Sequence, residues 1–96
     1  MNLYFSQGVR DKLKNKHSVT EAQVLQCFAN REGKYLIDDR EEHRTEPATR
    51  WFVASTDYGI MVKVCFVFDP NTKLIEIKTA YRAPPAVIAI YNKKAF

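Results

Sequence analysis

The longest apolar pattern in the chain runs from Trp51 to Arg82 and predicts three consecutive β-strands. β-Branched and aromatic residues dominate it. Gly59 in the first turn suits the positive φ of a hairpin turn, and Pro70 in the second fixes φ at the first central position. Because both connections are short, the strands should form an antiparallel meander. The predicted segments are Trp51–Thr56, Ile60–Phe68 and Leu74–Ala80.

Side chains of the second segment alternate between two largely apolar faces, because successive residues of a strand point to opposite sides of a sheet. Lys63 is the single charge within this segment. Two apolar faces are typical of a central strand that is covered on both sides. The two sets are Val62, Val64, Phe66 and Phe68, and Met61, Lys63, Cys65 and Val67.

The third segment carries more polar residues, and they concentrate toward its end. Strict alternation predicts two faces, one with Ile75, Ile77 and Thr79 and the other with Leu74, Glu76, Lys78 and Ala80. Side chains at strand ends often carry function, so the end of this segment is a candidate site.

Helices are predicted on either side of the meander. Ser6 is a suitable N-cap for a helix that reaches about Lys16, and Thr20 with Gln23 has the spacing of a capping box. The second helix should end near Asn30, because Asn and the following Gly33 tolerate a left-handed φ. A last helix begins at Pro85, since Pro suits the first helical position, and should reach about Lys93.

Two further segments complete the predicted order. Leu3–Phe5 and Lys34–Asp38 are short strand candidates, and Asp39–Pro47 is a polar loop with alternating charges. The elements follow the order β-α-α-β-β-β-β-α. We therefore predict a segregated α+β fold with a mainly antiparallel, twisted sheet packed by helices.

Length and composition limit the kind of protein. The chain has 96 residues, which suits a single domain spanning 1–96. Its apolar runs fall short of the roughly 18 residues that a membrane span needs, and no signal peptide opens the chain, so we expect a cytoplasmic protein without a membrane partner. Cys27 and Cys65 lack CxxC spacing and are expected to be buried thiols in a reducing compartment.

The net charge of +4 has two readings. A basic protein attracts anionic partners such as RNA, DNA or an acidic protein. The same excess of cations also keeps a small domain soluble, so charge alone leaves both readings open.

The residues predict metal-independent chemistry without a small-molecule cofactor. The sequence contains no Gly-rich phosphate loop, no HExxH and no nucleophile elbow, and its two His residues do not have metal-ligand spacing. His17 titrates nearest neutrality and is a candidate general base or acid, or merely the end of a helix. His43 lies in the polar loop and is the weaker candidate.

Five cations and one aromatic residue are candidates for contacts with RNA. Lys16 is suited to hold a phosphate beside His17, and Arg50 either grips a phosphate or pairs with Glu46. Lys63 either extends out of the sheet or points into a groove. Tyr81 either stacks on an unpaired base or covers the core. The phosphate- and RNA-binding candidates of the meander are Lys63, Lys78, Tyr81 and Arg82.

Several short segments together resemble the BrnT-like toxins. Lys16–Thr20 resembles the Lys-His-Gly-Val-Ser/Thr motif of that family, and Val24–Phe28 resembles its helix ending in Val-Phe. Arg50–Ala54 resembles a strand opened by Arg, and Ile75–Ala83 resembles the terminal Ile-Arg-Ile-x-Ser-Ala-Arg-Arg-Ala segment. Asp38, Asp39, Glu41 and Glu42 are similar to the acidic loop. In order, these segments span nearly the whole chain.

The resemblance implies a RelE-like fold and a bacterial toxin. Such a protein is a metal-independent ribonuclease that cleaves RNA through its own 2′-hydroxyl, and a cognate antitoxin neutralises it. His17, Lys16 and Arg50 would then be the catalytic residues. Glu76 and Tyr81 stand where the motif has Arg, and Ser18 stands where it has Gly. These departures favour a second hypothesis, a non-catalytic module of the same fold that binds RNA or a protein.

Overall fold

Strands and helices follow one another in the predicted order. The computed structural model describes residues 2–38, 40 and 46–96. In these residues it has three α-helices and a five-stranded mixed sheet, so the chain folds as a single α+β domain. The elements are β1 (Asn2–Tyr4), α1 (Gln7–Lys12), a π-helical turn (Leu13–His17), α2 (Glu21–Asn30), β2 (Leu36–Ile37), β3 (Thr49–Ser55), β4 (Met61–Phe68), β5 (Leu74–Arg82) and α3 (Pro85–Ala95).

The sheet has the strand order β1-β5-β4-β3-β2. Strands β3, β4 and β5 form the predicted antiparallel meander, and β4 is central as its two apolar faces indicated. Short β2 adds antiparallel to β3, whereas β1 pairs parallel to β5. The parallel pair arises because the chain returns to this edge only after completing the rest of the sheet. Most of the predicted polar loop, including His43, lies outside the described residues.

The core lies on the face of the sheet that α2 covers, here called the inner face. Phe52, Val64 and Ile77 point to it and are fully buried. Phe28 of α2 packs its ring 4.7 Å from that of Phe52 and 5.5 Å from that of Phe66. Such tilted aromatic pairs contribute about 0.5–1.5 kcal/mol each beyond the area they bury. This aromatic group therefore fixes α2 on the meander.

The opposite face of the sheet, here called the outer face, is covered in part by α3. Tyr91 of α3 is buried against Trp51 of β3, with 5.7 Å between ring centroids. The Tyr91 hydroxyl donates a 2.8 Å hydrogen bond to the backbone oxygen of Lys34. Helix α3 thus anchors at the β2–β3 end of the sheet, and the outer face of β4 and β5 carries the more exposed residues.

The strict alternation predicted for β5 is wrong, because a bulge-like irregularity shifts its register with β4. Ile77 lies opposite Phe66 and Thr79 lies opposite Cys65, so Lys78 is an extra residue in the ladder. The residues that follow therefore change sides. Ala80 is fully buried on the inner face, while Thr79 and Tyr81 belong to the outer face.

The helix boundaries match the predicted caps at their starts more closely than at their ends. Ser6 accepts the amide of Val9, and both hydrogen bonds of the Thr20–Gln23 capping box form. The predicted left-handed end of α2 is wrong. Arg31 leaves the helix in an extended conformation, with φ −61° and ψ 132°. Beyond α1, the chain continues as the π-helical turn to His17, and α3 extends past Lys93 to Ala95.

Both thiols are free and buried, as predicted. Cys27 donates a 3.6 Å hydrogen bond to the backbone oxygen of Ala54, and burial raises the pKa of its thiol to about 11. No helix in the described part of the chain has the length and apolar character that crossing a bilayer requires.

Candidate functional site

Four side chains form a continuous row across the outer face, here called the outer row: Trp51, Lys63, Tyr81 and His17. The Nζ of Lys63 lies 4.5 Å from the centroid of the Trp51 ring and 5.7 Å from that of Tyr81. The rings of Tyr81 and His17 are 5.6 Å apart and tilted by 40°. The row thus places a cation between two aromatic rings and an imidazole at one end.

Strand register brings three members of the row together. Lys63 and Tyr81 are directly opposite on β4 and β5, and side chains so placed lie on the same face within contact distance. Trp51 lies opposite Cys65, one position along the same face of β4, which makes it a diagonal neighbour of Lys63. Without the extra residue in β5, alternation would turn Tyr81 to the inner face.

The π-helical turn supplies the fourth member. Strand β1 pairs with β5 only as far as Glu76, so the second half of β5 has no strand on that side in the described chain. The turn packs there instead, and the Nζ of Lys12 donates a 3.1 Å hydrogen bond to the backbone oxygen of Lys78. A π-helical turn is an unusual element that is frequently found at functional sites. Here the turn ends at His17 and places its imidazole against Tyr81.

His17 is half-buried and surrounded by positive charge. Burial lowers the pKa of its imidazole, and the charges of Lys16 and Lys12 lower that pKa further. The imidazole is therefore mainly neutral at pH 7. A neutral imidazole is the form that accepts a proton in general base catalysis.

Cys65 lies on the outer face, and charged groups around it change the pKa of its thiol. Burial raises the pKa of Cys65, and Lys63 is the strongest charge that acts in the opposite direction. Asp38 also raises this pKa, whereas Arg40 and Lys12 lower it. Of these charges, Arg40 and Asp38 pair with each other, so Lys63 and Lys12 are the unmatched charges among the described groups that act on this thiol.

The predicted site residues divide between the two faces. His17, Lys63 and Tyr81 come together in the outer row, and Lys16 lies beside His17 on the exposed side of the turn. Arg50 lies opposite Phe66 and Arg82 lies opposite Val62, both inner-face residues. The two arginines are exposed, and the structure does not bring them to the outer row.

Lys78 forms an ion pair with Glu76. Its Nζ lies 3.1 Å from the Oε2 of Glu76, and both side chains are a little over two-fifths exposed. Glu76 is opposite Val67, which places this ion pair on the outer face. An exposed pair of this kind contributes little to stability, about 0–1 kcal/mol, so Lys78 can leave it at small cost.

Sequence reasoning missed one member of the outer row. Trp51 was predicted only as an apolar strand residue. The isolated charge of Lys63 made it a candidate, and Lys63 lies in the outer row. Its partner across the strand depends on register, which no local pattern specifies.

A second cavity in the described part of the chain lies away from the outer row. It has a volume of about 560 Å³ and lies where α1 and its π-helical turn meet the start of α2, where Arg10 and Glu21 form a 3.4 Å ion pair. None of the seven predicted site residues lines it. Among the described residues, no group of three or more His, Cys, Asp or Glu side chains is arranged to hold a metal ion.

The outer row is thus defined by its own geometry and chemistry. Comparisons with protein-family models, with curated proteins and with solved structures gave no significant match.

Proposed function

We propose that the chain is a metal-independent endoribonuclease with a RelE-like fold, similar to the BrnT-like toxins, and that the outer row is its RNA-cleaving site. The observation that carries the proposal is the contact between His17 and Tyr81, with Lys63 on the other side of the same tyrosine. This contact unites a proton acceptor, a stacking ring and a cation. Cleavage by an RNA 2′-hydroxyl uses a proton acceptor and a cation, and the ring can position the strand between them.

In this mechanism, His17 takes the proton from the 2′-hydroxyl as its oxygen attacks the adjacent phosphorus. Lys63 offsets the negative charge that develops on the phosphoryl oxygens. The 5′-oxygen of the next nucleotide leaves and takes a proton from water, and a 2′,3′-cyclic phosphate remains. The hydroxide that is left takes the proton from His17, which restores the neutral imidazole. Tyr81 stacks on an unpaired base and holds the strand between the two groups.

The backbone at Ser18 supports the resemblance that underlies the proposal. Ser18 stands where the BrnT-like motif has Gly, and its φ of 53° lies in the left-handed region that Gly adopts without strain. The conformation at this position therefore explains why Gly suits the motif, although Ser occupies it here. The element order also agrees with the fold that the resemblance implies.

The proposal includes a protein partner and a compartment. A toxin of this kind acts in the cytoplasm, where its RNA lies, and an antitoxin neutralises it. An antitoxin that covered the outer row would place acidic groups against Lys63 and Lys16. Charge complementarity of this kind speeds association and selects the partner.

Cleavage of a labelled single-stranded RNA in the presence of EDTA tests the proposal. We expect cyclic-phosphate products from the wild-type protein and a 10²- to 10⁴-fold slower reaction for His17→Ala, the range typical of a lost general base. Lys14→Ala is the matched control, because Lys14 is exposed in the same turn and outside the row. Intact RNA with the folded wild-type protein would overturn the proposal.

A non-catalytic RNA-binding module is the second candidate function. The ion pair of Glu76 with Lys78 favours it, because a lysine engaged by a carboxylate is less available to offset the charge that develops on the phosphoryl oxygens during cleavage. In that case wild-type and His17→Ala proteins bind the RNA equally and cleave none of it. Overexpression in a bacterial host gives the same distinction, since only the nuclease arrests growth in a manner that His17→Ala relieves.

A further inference from the structure

A cavity of about 230 Å³ adjoins the outer row where β2 and β3 meet α3. Trp51 and Lys63 belong to the row and also line this cavity. Pockets for drug-sized ligands have volumes of roughly 300–1,000 Å³, so this one suits a smaller group. It offers room for a single planar ring system beside the row.

The walls of the cavity are mostly apolar. Leu36 of β2 and Trp51 of β3 form one side, and Val87 and Ile90 of α3 form the other. Ile90 is 48% exposed although it is a large aliphatic residue, which leaves an apolar edge at the entrance. Apolar walls around an aromatic ring favour a flat, weakly hydrated ligand.

The rim of the cavity is cationic. Lys63 and Lys94 contribute positive charges from two directions. The carboxylate of Asp38 is matched by Arg40, whose guanidinium binds both of its oxygens at 3.0 and 2.9 Å. The described residues that line the cavity therefore carry a net positive charge, which suits a ligand with an attached phosphate.

We propose that this cavity binds one unpaired nucleobase of an RNA strand, stacked on Trp51, while Lys63 holds the phosphate that joins it to the outer row. The inference rests on the proposed function, because it takes the strand to be RNA. Lys63 lies over the Trp51 ring in the unbound protein. Its flexible side chain turns to the phosphate as the base takes its place on the ring.

Stacking and charge favour a base over a segment of an acidic protein. Aromatic side chains grip the bases of single-stranded RNA through their π-faces, whichever base is present. A protein segment would leave most of its length outside so small a cavity. The two occupants predict different outcomes in a binding experiment.

The experiment uses the intrinsic fluorescence of Trp51, the single tryptophan of the chain. A short 2′-O-methyl RNA is titrated in, because such a strand cannot be cleaved through its 2′-oxygen. We expect the fluorescence to be quenched, and the same oligonucleotide with one abasic position to bind about 5- to 150-fold more weakly when that position meets the cavity. Equal affinities for all abasic variants, or unquenched fluorescence at saturation, would overturn the proposal.

Two variants with equal charge change locate the effect. Ile90→Glu places a carboxylate at the cavity entrance, whereas Leu25→Glu changes a residue of α2 with the same 48% exposure on another part of the surface. We expect Ile90→Glu to weaken binding at least tenfold more than Leu25→Glu does. Similar losses in the two variants would contradict a base at this site. Quenching by a poly-glutamate peptide together with none by RNA would assign the cavity to a protein partner and also overturn the proposal.

The outcomes separate this inference from the proposed function. If the RNA quenches Trp51 fluorescence but ordinary RNA is not cleaved, the base site is supported and the proposed nuclease activity is wrong. If ordinary RNA is cleaved but Trp51 fluorescence is not quenched, the nuclease activity is supported and the proposed base site is wrong.

Discussion

His17 is the residue on which the proposed chemistry of the outer row depends. Its imidazole lies against Tyr81, and two lysines of its own helical segment keep positive charge close to it. Burial lowers the pKa of His17, and the charges of Lys16 and Lys12 lower it further. In the proposed function the same two lysines would also attract a phosphate.

Removing one of these lysines should raise the pKa of His17. In Lys16→Ala the nearest repelling charge is lost, so protonation becomes easier and the imidazole titrates at a higher pH than in the wild-type protein. NMR titration of the imidazole measures the change directly. Lys93→Ala, an exposed lysine at the end of α3, is the control and should leave the titration unchanged.

The pH dependence of cleavage should follow the same sign. A general base acts in its neutral form, so the rate rises with pH through the pKa of His17. In Lys16→Ala the rising limb should move to higher pH. A limb that stayed in place while the NMR titration moved would show that another group is the base.

At the scale of single residues, the sequence suggested candidate side chains but not the face of the sheet on which each one lies. His17 and Lys63 were identified from their types and their neighbours in the sequence. Arg50 was grouped with them, yet it lies on the other side of the sheet. A one-residue change in register moves a side chain to the opposite face, and nothing local to Arg50 reveals that register.

At the scale of elements, helix starts and turns were predictable because their causes are local. The Thr20–Gln23 capping box and the positive φ of Gly59 needed only adjacent residues. The extra residue at Lys78 and the π-helical turn before Ser18 were not predictable. Both depend on how β5 meets its neighbours, so the contact between Tyr81 and His17 emerged only in the folded chain.

Gly33 follows α2 in the chain and packs against α3. The contact leaves no room for a side chain at this position. A Cβ at this position would lie 2.6 Å from the Tyr91 hydroxyl oxygen and 2.9 Å from the Ala95 Cβ. Gly33→Ala should therefore destabilise the protein by about 1–3 kcal/mol, the usual range for overpacking. Urea unfolding followed by circular dichroism measures the difference.

Gly8→Ala is the matched control for that experiment. Gly8 lies in α1 with no atom within 4 Å of an added Cβ. Since Ala favours helix more than Gly does, this variant should gain about 0.5–1 kcal/mol. If Gly33→Ala were as stable as Gly8→Ala, the close approach of α3 to residue 33 would be refuted.

At the scale of the whole molecule, the sheet separates its cations into two groups. Lys63 belongs to the outer row, whereas Arg50 and Arg82 are exposed on the inner-face side of the sheet. A single strand of RNA along the outer face meets the first group and not the second. The net charge of +4 therefore does not describe an evenly basic surface.

Neutralising one cation from each group should reveal this asymmetry. We expect Lys63→Gln to weaken RNA binding and to reduce the slope of log K against log salt by about 0.7, the value for one phosphate contact on a single strand. Arg50→Gln removes the same charge from the other face and should leave the slope unchanged. Equal slopes for the two variants would mean that the RNA does not distinguish the faces.

The pairing of β1 with β5 also has a consequence for synthesis of the protein. Asn2 lies opposite Leu74, and His17 touches Tyr81, so both contacts join the start of the chain to a strand made late. Such distant contacts close large loops and form slowly. While the ribosome is still making the earlier strands, the nascent chain has His17 but no Tyr81. We therefore expect the outer row to assemble only after β5 has been made, so that His17 and Tyr81 do not meet while the earlier strands are still being synthesised.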